Sequence, residues 1–331
     1  MERNSVLMPK SFSEDSLVRR ISRGFPNLGK SGMRLGVGDD AALWEPHHGF
    51  ETVLTSDWFL EGSHFLRETH PADSVGWKCL ARAASDIAAM GGTPRCFLLN
   101  LAVRDTQTGR WLGEFLGGLR RASRFLGCSL AGGDTTQQDR ILINVTVVGE
   151  VLKGRAVSRS GARPGDLLFV SGRLGEAELG LKELRRSRGR VHANNPALRK
   201  HLYPKPQIEL GRWLAENHIA SAMMDISDGL STDLARLCET SRVGAVIAED
   251  CLPGPKGVPA AEGARLALHG GDDYELLFTV PKSRIRKLKR NLRNFPIEYV
   301  GTITKRRKIL LVKGEGVAEE LVPGGWDPFR S

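Results

Sequence analysis

Aspartate is the residue type on which the chemistry of this sequence turns. Asp39 and Asp40 sit in GVGDD, Asp57 in VLTSD, Asp86 in AASDIAAM and Asp134 in AGGD. Asp225 and Asp228 sit in MDISDG, Asp272 and Asp273 in GGDDYEL. Most stand beside glycine, serine or threonine, or close an apolar run, where loops carry function on a rigid scaffold. Each alone has a bland explanation. Aspartate after glycines, as at Asp134, is common turn chemistry. Asp86, among Ala83, Ala84, Ala88 and Ala89, is either capping something nearby or facing a site, and its small neighbours permit close approach by another element. The set changes the reading. Two unpaired carboxylates about 4 Å apart repel by roughly 4 kcal/mol at an effective dielectric of 20, so several converging on one cleft require cations. Oxygen ligands without paired histidines or cysteines point to Mg²⁺. Carboxylate-held Mg²⁺ binds nucleotide phosphates and serves phosphoryl transfer without a nucleophilic side chain.

A second phosphate signal competes with this one. GFPNLGKS, Gly24 to Ser31, matches G-x-x-x-x-G-K-[ST]. A P-loop needs a strand feeding a glycine loop that opens a helix. Here LVRRISR before Gly24 reads as helix, and GMRLGVGDD after Ser31 has no helical period. Pro26 also removes one of the loop amides. The match is read as a chance one in a surface loop.

The elements that must position the aspartates follow from pattern. A helix capped by Ser13 precedes the false P-loop. ETVLTSDWF reads as a strand with Asp57 at its end, and DSVGWKCLARAASDIAAMGG as a helix capped near Asp73 and stopped by Gly91 and Gly92. CFLLNLAV is a buried strand, TGRWLGEFLGGLRRASRFLG a second helix, SLAGGDTTQ a strand entering a glycine turn, and ILINVTVVGEVL another strand. SRSGARPGD is a turn-rich joint, which divides the chain into residues 1–153 and 154–331. The second half has the strand DLLFVSG, the strand-to-helix segment AMMDISDGLSTDLARLCETS and the turn-to-strand segment HGGDDYELLFTV. Mixed strands and helices in both halves give two α/β or α+β domains, the number expected for 331 residues.

The bulk numbers narrow the class. The first twenty residues carry charges where a secretory signal has its apolar core, and no apolar run is long enough to span a bilayer. Five cysteines, Cys79, Cys96, Cys128, Cys238 and Cys251, form no C-x-x-C pair. They argue against a disulfide framework or structural zinc and for a reducing cytoplasm. Net charge is +10, concentrated in 182–205 and 282–294. In the latter, Ile285, Leu288 and Leu292 mark one apolar face of a surface helix whose basic residues face solvent. No aromatics interleave them as a single-strand groove would prefer, so nucleic acid is not the expected partner.

Taken together, GVGDDAAL, TSDWFLEGSHF, AASDIAAMGGTP, AGGDTT, SRSGARPGD, MDISDG, GGDDYELLFTV and a terminal GGWDPF resemble the thiamine-monophosphate kinase family, within the superfamily typified by aminoimidazole ribonucleotide synthetase. The motifs occur in the family's order. The resemblance implies a two-domain fold whose N-terminal sheet builds a β-barrel across a homodimer, and ATP binding without a P-loop. It implies Mg²⁺-assisted transfer of the ATP γ-phosphoryl group to thiamine monophosphate. By motif, Asp39, Thr55, Ser56, Asp57, Asp86, Asp134, Asp225 and Asp228 would form the metal clamp, with Asp57, Asp86 and Asp134 most critical. Gly133, Arg159 and Ser227 would touch ATP. His64, Asp272 and Trp326 would hold the thiamine phosphate, a cationic thiazolium being served by an aromatic face and a carboxylate. One departure is Asp272, where the family has glutamate in GGEDYEL. Within the superfamily, selenophosphate synthetase would want a reactive cysteine in an N-terminal glycine-rich loop, and the hydrogenase-maturation carbamoyl dehydratase a C-terminal cysteine; this chain has neither. Aminoimidazole ribonucleotide synthetase is the remaining enzyme alternative, and a non-catalytic nucleotide- or nucleic-acid-binding protein the alternative of another class.

Overall fold

Residues 14–25, 32–188, 195–290 and 295–329 are described by the computed structural model. The first half contains helix α1 (Glu14–Ser22), the short strands β1 (Met33–Leu35) and β2 (Leu43–Trp44), β3 (Phe50–Leu60), α2 (Ala72–Ala89), β4 (Thr93–Val103), α3 (Arg110–Leu126), β5 (Ser129–Gln137) and β6 (Leu142–Leu152). Strands β3, β6, β4 and β5 form one sheet in that order, with β4 and β5 parallel and the other neighbours antiparallel. Alternating side chains of β4 and β6, such as Phe97, Leu99, Ile143 and Val145, pack against α2 and α3. The sheet is open; among the described residues no closed barrel forms.

The second half contains β7 (Leu167–Ser171), α4 (Glu176–Arg186), α5 (Pro196–Leu202), α6 (Ile208–Glu216), β8 (Ala222–Ile226), α7 (Leu230–Ser241), β9 (Gly244–Ala248), α8 (Ala260–His269), β10 (Glu275–Val280), α9 (Ile285–Lys289), β11 (Ile297–Thr304), β12 (Ile309–Val312) and β13 (Ala318–Glu320). Its sheet runs β13-β12-β9-β11-β7-β10-β8. The two α/β halves of the sequence reading are therefore present.

Helix α2 joins them, and glycine makes the joint. A Cβ on Gly76 would lie 2.0 Å from the Phe115 carbonyl oxygen, and one on Gly118 1.7 Å from that of Asp73, so α2 and α3 cross with backbones in contact. On the other side, Ala88 and Ala89 enter the core that holds Leu210, Leu214 and Met223. A Cβ on Gly211 of α6 would meet the Ala88 carbonyl at 2.1 Å. The small residues of AASDIAAM thus place Asp86 where the two halves touch.

Several local expectations are corrected. Asp57 lies within β3, three residues before its end, paired with Val145, because the alternation continues through Trp58, Phe59 and Leu60. Asp73 does not cap α2. Pro71 holds the cap position without a side-chain bond, and Asp73 instead accepts from Arg121 at 2.5 Å and Tyr203 at 3.0 Å. SLAGGDTTQ contains no turn. Its glycines stay in β5, where Gly133 (φ 148°) presses on the Leu99 backbone. The described part of the basic 282–294 segment, 282–290, is a 3₁₀ turn (Lys282–Arg284) followed by α9, with Leu288 buried and Ile285 packed beside it. Leu292 lies outside the described residues, as do Ser13 and Pro26 to Ser31 of the P-loop match. Helix α1 does precede Gly24, as the rejection of a P-loop requires.

Candidate active site

A cleft of about 960 Å³ opens between the two halves. Helix α2 supplies its floor. Lys78, Arg82 and Asp86, spaced by four, form one stripe along the helix. At the far end, Thr55 Oγ1 donates to Asp86 Oδ2 at 2.5 Å. Asp225, the fourth residue of β8, is 3% exposed. Burial, and then the neighbouring Asp86, push its carboxyl well above the usual carboxylate range. Burial and Asp57 likewise raise Asp86, against the Thr55 hydrogen bond and the pull of Arg159. A buried carboxylate beside a half-buried one is unfavourable until a cation or a proton joins them.

That pair is the test of whether a divalent cation fits. The donors are all oxygen, which suits Mg²⁺. Among the described residues, no three acidic, histidine or cysteine side chains are gathered closely enough to enclose an ion. A cation here would have to complete its shell from water and phosphate oxygens, the coordination habit of Mg²⁺. The residues fit such an ion shared with a ligand.

The loop after β8 carries Ser227 and Asp228. Asp233, in the first turn of α7, accepts from both of their amides at 3.1 and 3.0 Å. Arg236 bridges Asp228 at 2.5 Å and Asp233 at 2.8 Å. Burial and Asp228 push the Asp233 carboxyl up to about 6. Opposite lies the loop of GGDDYEL, with Asp272 at φ 67° and Tyr274 at φ 52°. Left-handed backbone at two non-glycine residues costs roughly 1–2 kcal/mol each. It is held by amide bonds from Asp272 to Ser227 O (2.7 Å) and from Tyr274 to Ile226 O (2.9 Å). The Asp272 carboxylate accepts from Lys78 at 2.8 Å and from the Tyr274 hydroxyl at 2.8 Å. Burial opposes ionisation there, but Lys78, His201 and Arg82 overcome it and hold the carboxyl well below its usual range. Asp273 has another job: it accepts from the Gly175 and Ala177 amides at the start of α4, at 2.5 and 3.1 Å.

The other predicted substrate residues line the same cleft. His64 Nδ1 accepts from the Leu60 amide at 3.1 Å; burial, then Arg82, lower its pKa to about 4, so it is neutral near pH 7. Trp326, 48% exposed, sits on the rim. Its tail is pinned by amide bonds from Trp326 to Asp228 O, Gly325 to Thr232 Oγ1 and Gly324 to Ser231 Oγ.

The cleft thus gathers Asp57, Asp86, Asp225, Ser227, Asp228, His64, Asp272 and Trp326. Thr55 adjoins it through Asp86, and Arg159, in a 3₁₀ turn, acts on Asp86 electrostatically. Three predicted metal ligands and one predicted ATP contact are elsewhere. Ser56 bonds with Asn144 and Thr146, and Asp134 is in register with Asn100. By strand alternation both occupy the sheet face away from α2. Asp39 and Gly133 line a separate cavity of about 860 Å³ beside β4 and β5. Sequence reasoning missed Lys78, Arg82, Asp233 and Arg236. The first two had a signal, their four-residue spacing from Asp86.

Comparison with known proteins agrees with this geometry. Residues 38–151 match the family model for the AIR synthase related protein N-terminal domain, and 163–313 that for its C-terminal domain. A thiamine-monophosphate kinase of Bacillus subtilis is 32% identical over 315 residues, covering 91% of this chain and 95% of that protein. The crystal structure of thiamine-monophosphate kinase from Stenotrophomonas maltophilia superposes with a TM-score of 0.80 at 31% identity, over 91% of this chain and 95% of that one. A structure described as AaThiL complexed with AMPPCP and TMP superposes with a TM-score of 0.75 at 30% identity, over 98% and 100%. The chain belongs to the thiamine-monophosphate kinase family of AIR synthase related proteins.

Proposed function

We propose that this protein transfers the γ-phosphoryl group of ATP to thiamine monophosphate. An oxygen of the acceptor phosphate bonds to the γ-phosphorus, the bond to the ADP oxygen breaks, and thiamine diphosphate and ADP leave. The observation that carries this reading is the pairing, in one cleft, of the half-buried Asp86 and buried Asp225 carboxylates with Asp272 and Trp326. The first pair fits a cation-bound polyphosphate. The second fits a cationic ring, with a fixed anion and an aromatic face.

Asp57, Asp86, Asp225 and Asp228 would supply the carboxylate oxygens for cations within the cleft, with Thr55 orienting Asp86. When bound, Mg²⁺ supplies neutralisation of the phosphate charge. Asp39, Ser56 and Asp134, which lie outside this cleft, are assigned to metal binding on family resemblance alone, as are Gly133, Arg159 and Ser227 to ATP. Neutral His64 offers a hydrogen bond without adding charge, and Asp272 holds the thiazolium end. The division between the halves is placed at 153/154 and the enzyme in the cytoplasm. Among the described residues no helix is long and apolar enough to cross a membrane. A homodimer is supported by the outer face of the first sheet, where Leu54 is 67% exposed and Trp58 55% exposed. A second copy laid on it buries both and allows the barrel to close.

The test is conversion of thiamine monophosphate to the diphosphate by purified protein with ATP and Mg²⁺, read as fluorescent thiochrome after separation. Magnesium-dependent diphosphate is expected. A folded protein that binds ATP yet makes none would refute the acceptor.

A further inference from the structure

Arg82 stands at the centre of the cleft and none of the roles above uses it. It lies one helical turn before Asp86 and one after Lys78. Its side chain is only 15% exposed. Nε donates to Asp57 Oδ2 at 3.3 Å, and the guanidinium carbon is 5.4 Å from the Phe59 ring centroid. Among the described residues neither terminal nitrogen donates a hydrogen bond. Its charge is felt on both sides, at Asp86 and at His64 and Asp272. The residue therefore lies between the carboxylates that fit the polyphosphate and the groups that fit the thiazolium ring.

We propose that Arg82 binds the phosphate of the acceptor, and that Asp57 stores it until a cation arrives. This rests on the kinase reading. The acceptor phosphate must lie between its own ring and the γ-phosphorus, and Arg82 lines the cleft between the groups that fit each. A planar fork matches phosphate oxygens in pairs. An attacking phosphate oxygen and a γ-phosphoryl group repel each other, so a fixed cation beside them acts where charge crowds in the transition state. Asp57 balances the guanidinium through the Nε bond. A cation held by Asp57 would leave Arg82 free to pair with the incoming anion.

Steady-state kinetics of Arg82→Ala and Arg82→Lys, with thiamine as a phosphate-free competitive inhibitor, test this. For Arg82→Ala the expected result is a rise of roughly 10- to 100-fold in KM for thiamine monophosphate. KM for ATP and Ki for thiamine should stay within about 2-fold, since neither depends on the acceptor phosphate. Arg82→Lys should recover part of the loss, keeping a point charge without the fork. The Mg²⁺ concentration for half-activity should fall in Arg82→Ala, because the competing guanidinium is gone. Equal rises for thiamine and thiamine monophosphate, or no change in either, would overturn the proposal. A wild-type protein making no diphosphate would overturn it together with the kinase reading.

Discussion

Asp225 illustrates the tension between stability and function at single residues. Its carboxylate is buried against Asp86 and raised by both burial and that neighbour. Asp225→Asn removes the like charge at nearly equal volume. It is expected to raise the thermal midpoint of metal-free protein while lowering kcat by about 10²–10³-fold; calorimetry and the thiochrome assay on one preparation check both. Asp273 is the opposite case. It caps α4 from a fully buried position, so Asp273→Ala should cost about 1–3 kcal/mol in urea unfolding without changing the KM for ATP. Adjacent letters of one motif, Asp272 and Asp273, thus face the cleft and a helix end. The sequence marks both as loop aspartates but cannot say which way each faces, because that depends on the left-handed turn at 272 and 274. Lys78 and Arg82 escaped notice for another reason. Cations in a helix read as solvent-facing until a partner element buries them.

Helix α2 is the element on which the rest depends. It carries the Lys78–Arg82–Asp86 stripe and is clamped by glycine contacts to α3 and α6. Gly118→Ala would force a Cβ into the Asp73 carbonyl. It should destabilise by about 1–3 kcal/mol or more and lower kcat as well, since moving α2 moves Asp86. An unchanged unfolding midpoint would refute this account of the packing. The helix, the strands β3, β4, β6, β7, β8 and β10, and the turn before α7 were legible because their periods are clean and long. The strand β5 was misread at its glycines. Gly133 is there for close backbone approach to β4 rather than for a turn, and only the neighbouring strand reveals that. The convergence of Asp57, Asp86, Asp225 and Asp272 is likewise a property of how α2 bridges two sheets. The motif order could suggest it only through family resemblance.

At the scale of the whole molecule the interface between halves is charged and pH-sensitive. His70 and His201 are buried there, their ring nitrogens 3.2 Å apart, with Lys78 3.4 Å from His201. Burial, then Lys78, lowers His70 to about 4 and His201 well below its ordinary value. A histidine with depressed folded pKa binds fewer protons when folded. Stability should therefore fall as pH drops from about 6.5 toward 4, by up to about 1.4 kcal/mol per unit for each ring. Thermal melts across pH 7.5 to 4.5 should show that slope, and His70→Gln should flatten it. The central claim is that phosphoryl transfer occurs in this interdomain cleft, on the carboxylates of both halves. The most direct measurement follows label from γ-³²P-ATP into thiamine diphosphate, with wild-type protein and folded Asp225→Asn side by side at saturating Mg²⁺. The account predicts labelled thiamine diphosphate from the wild type and at least about 10²-fold less from Asp225→Asn. Equal labelling by the two proteins would contradict it.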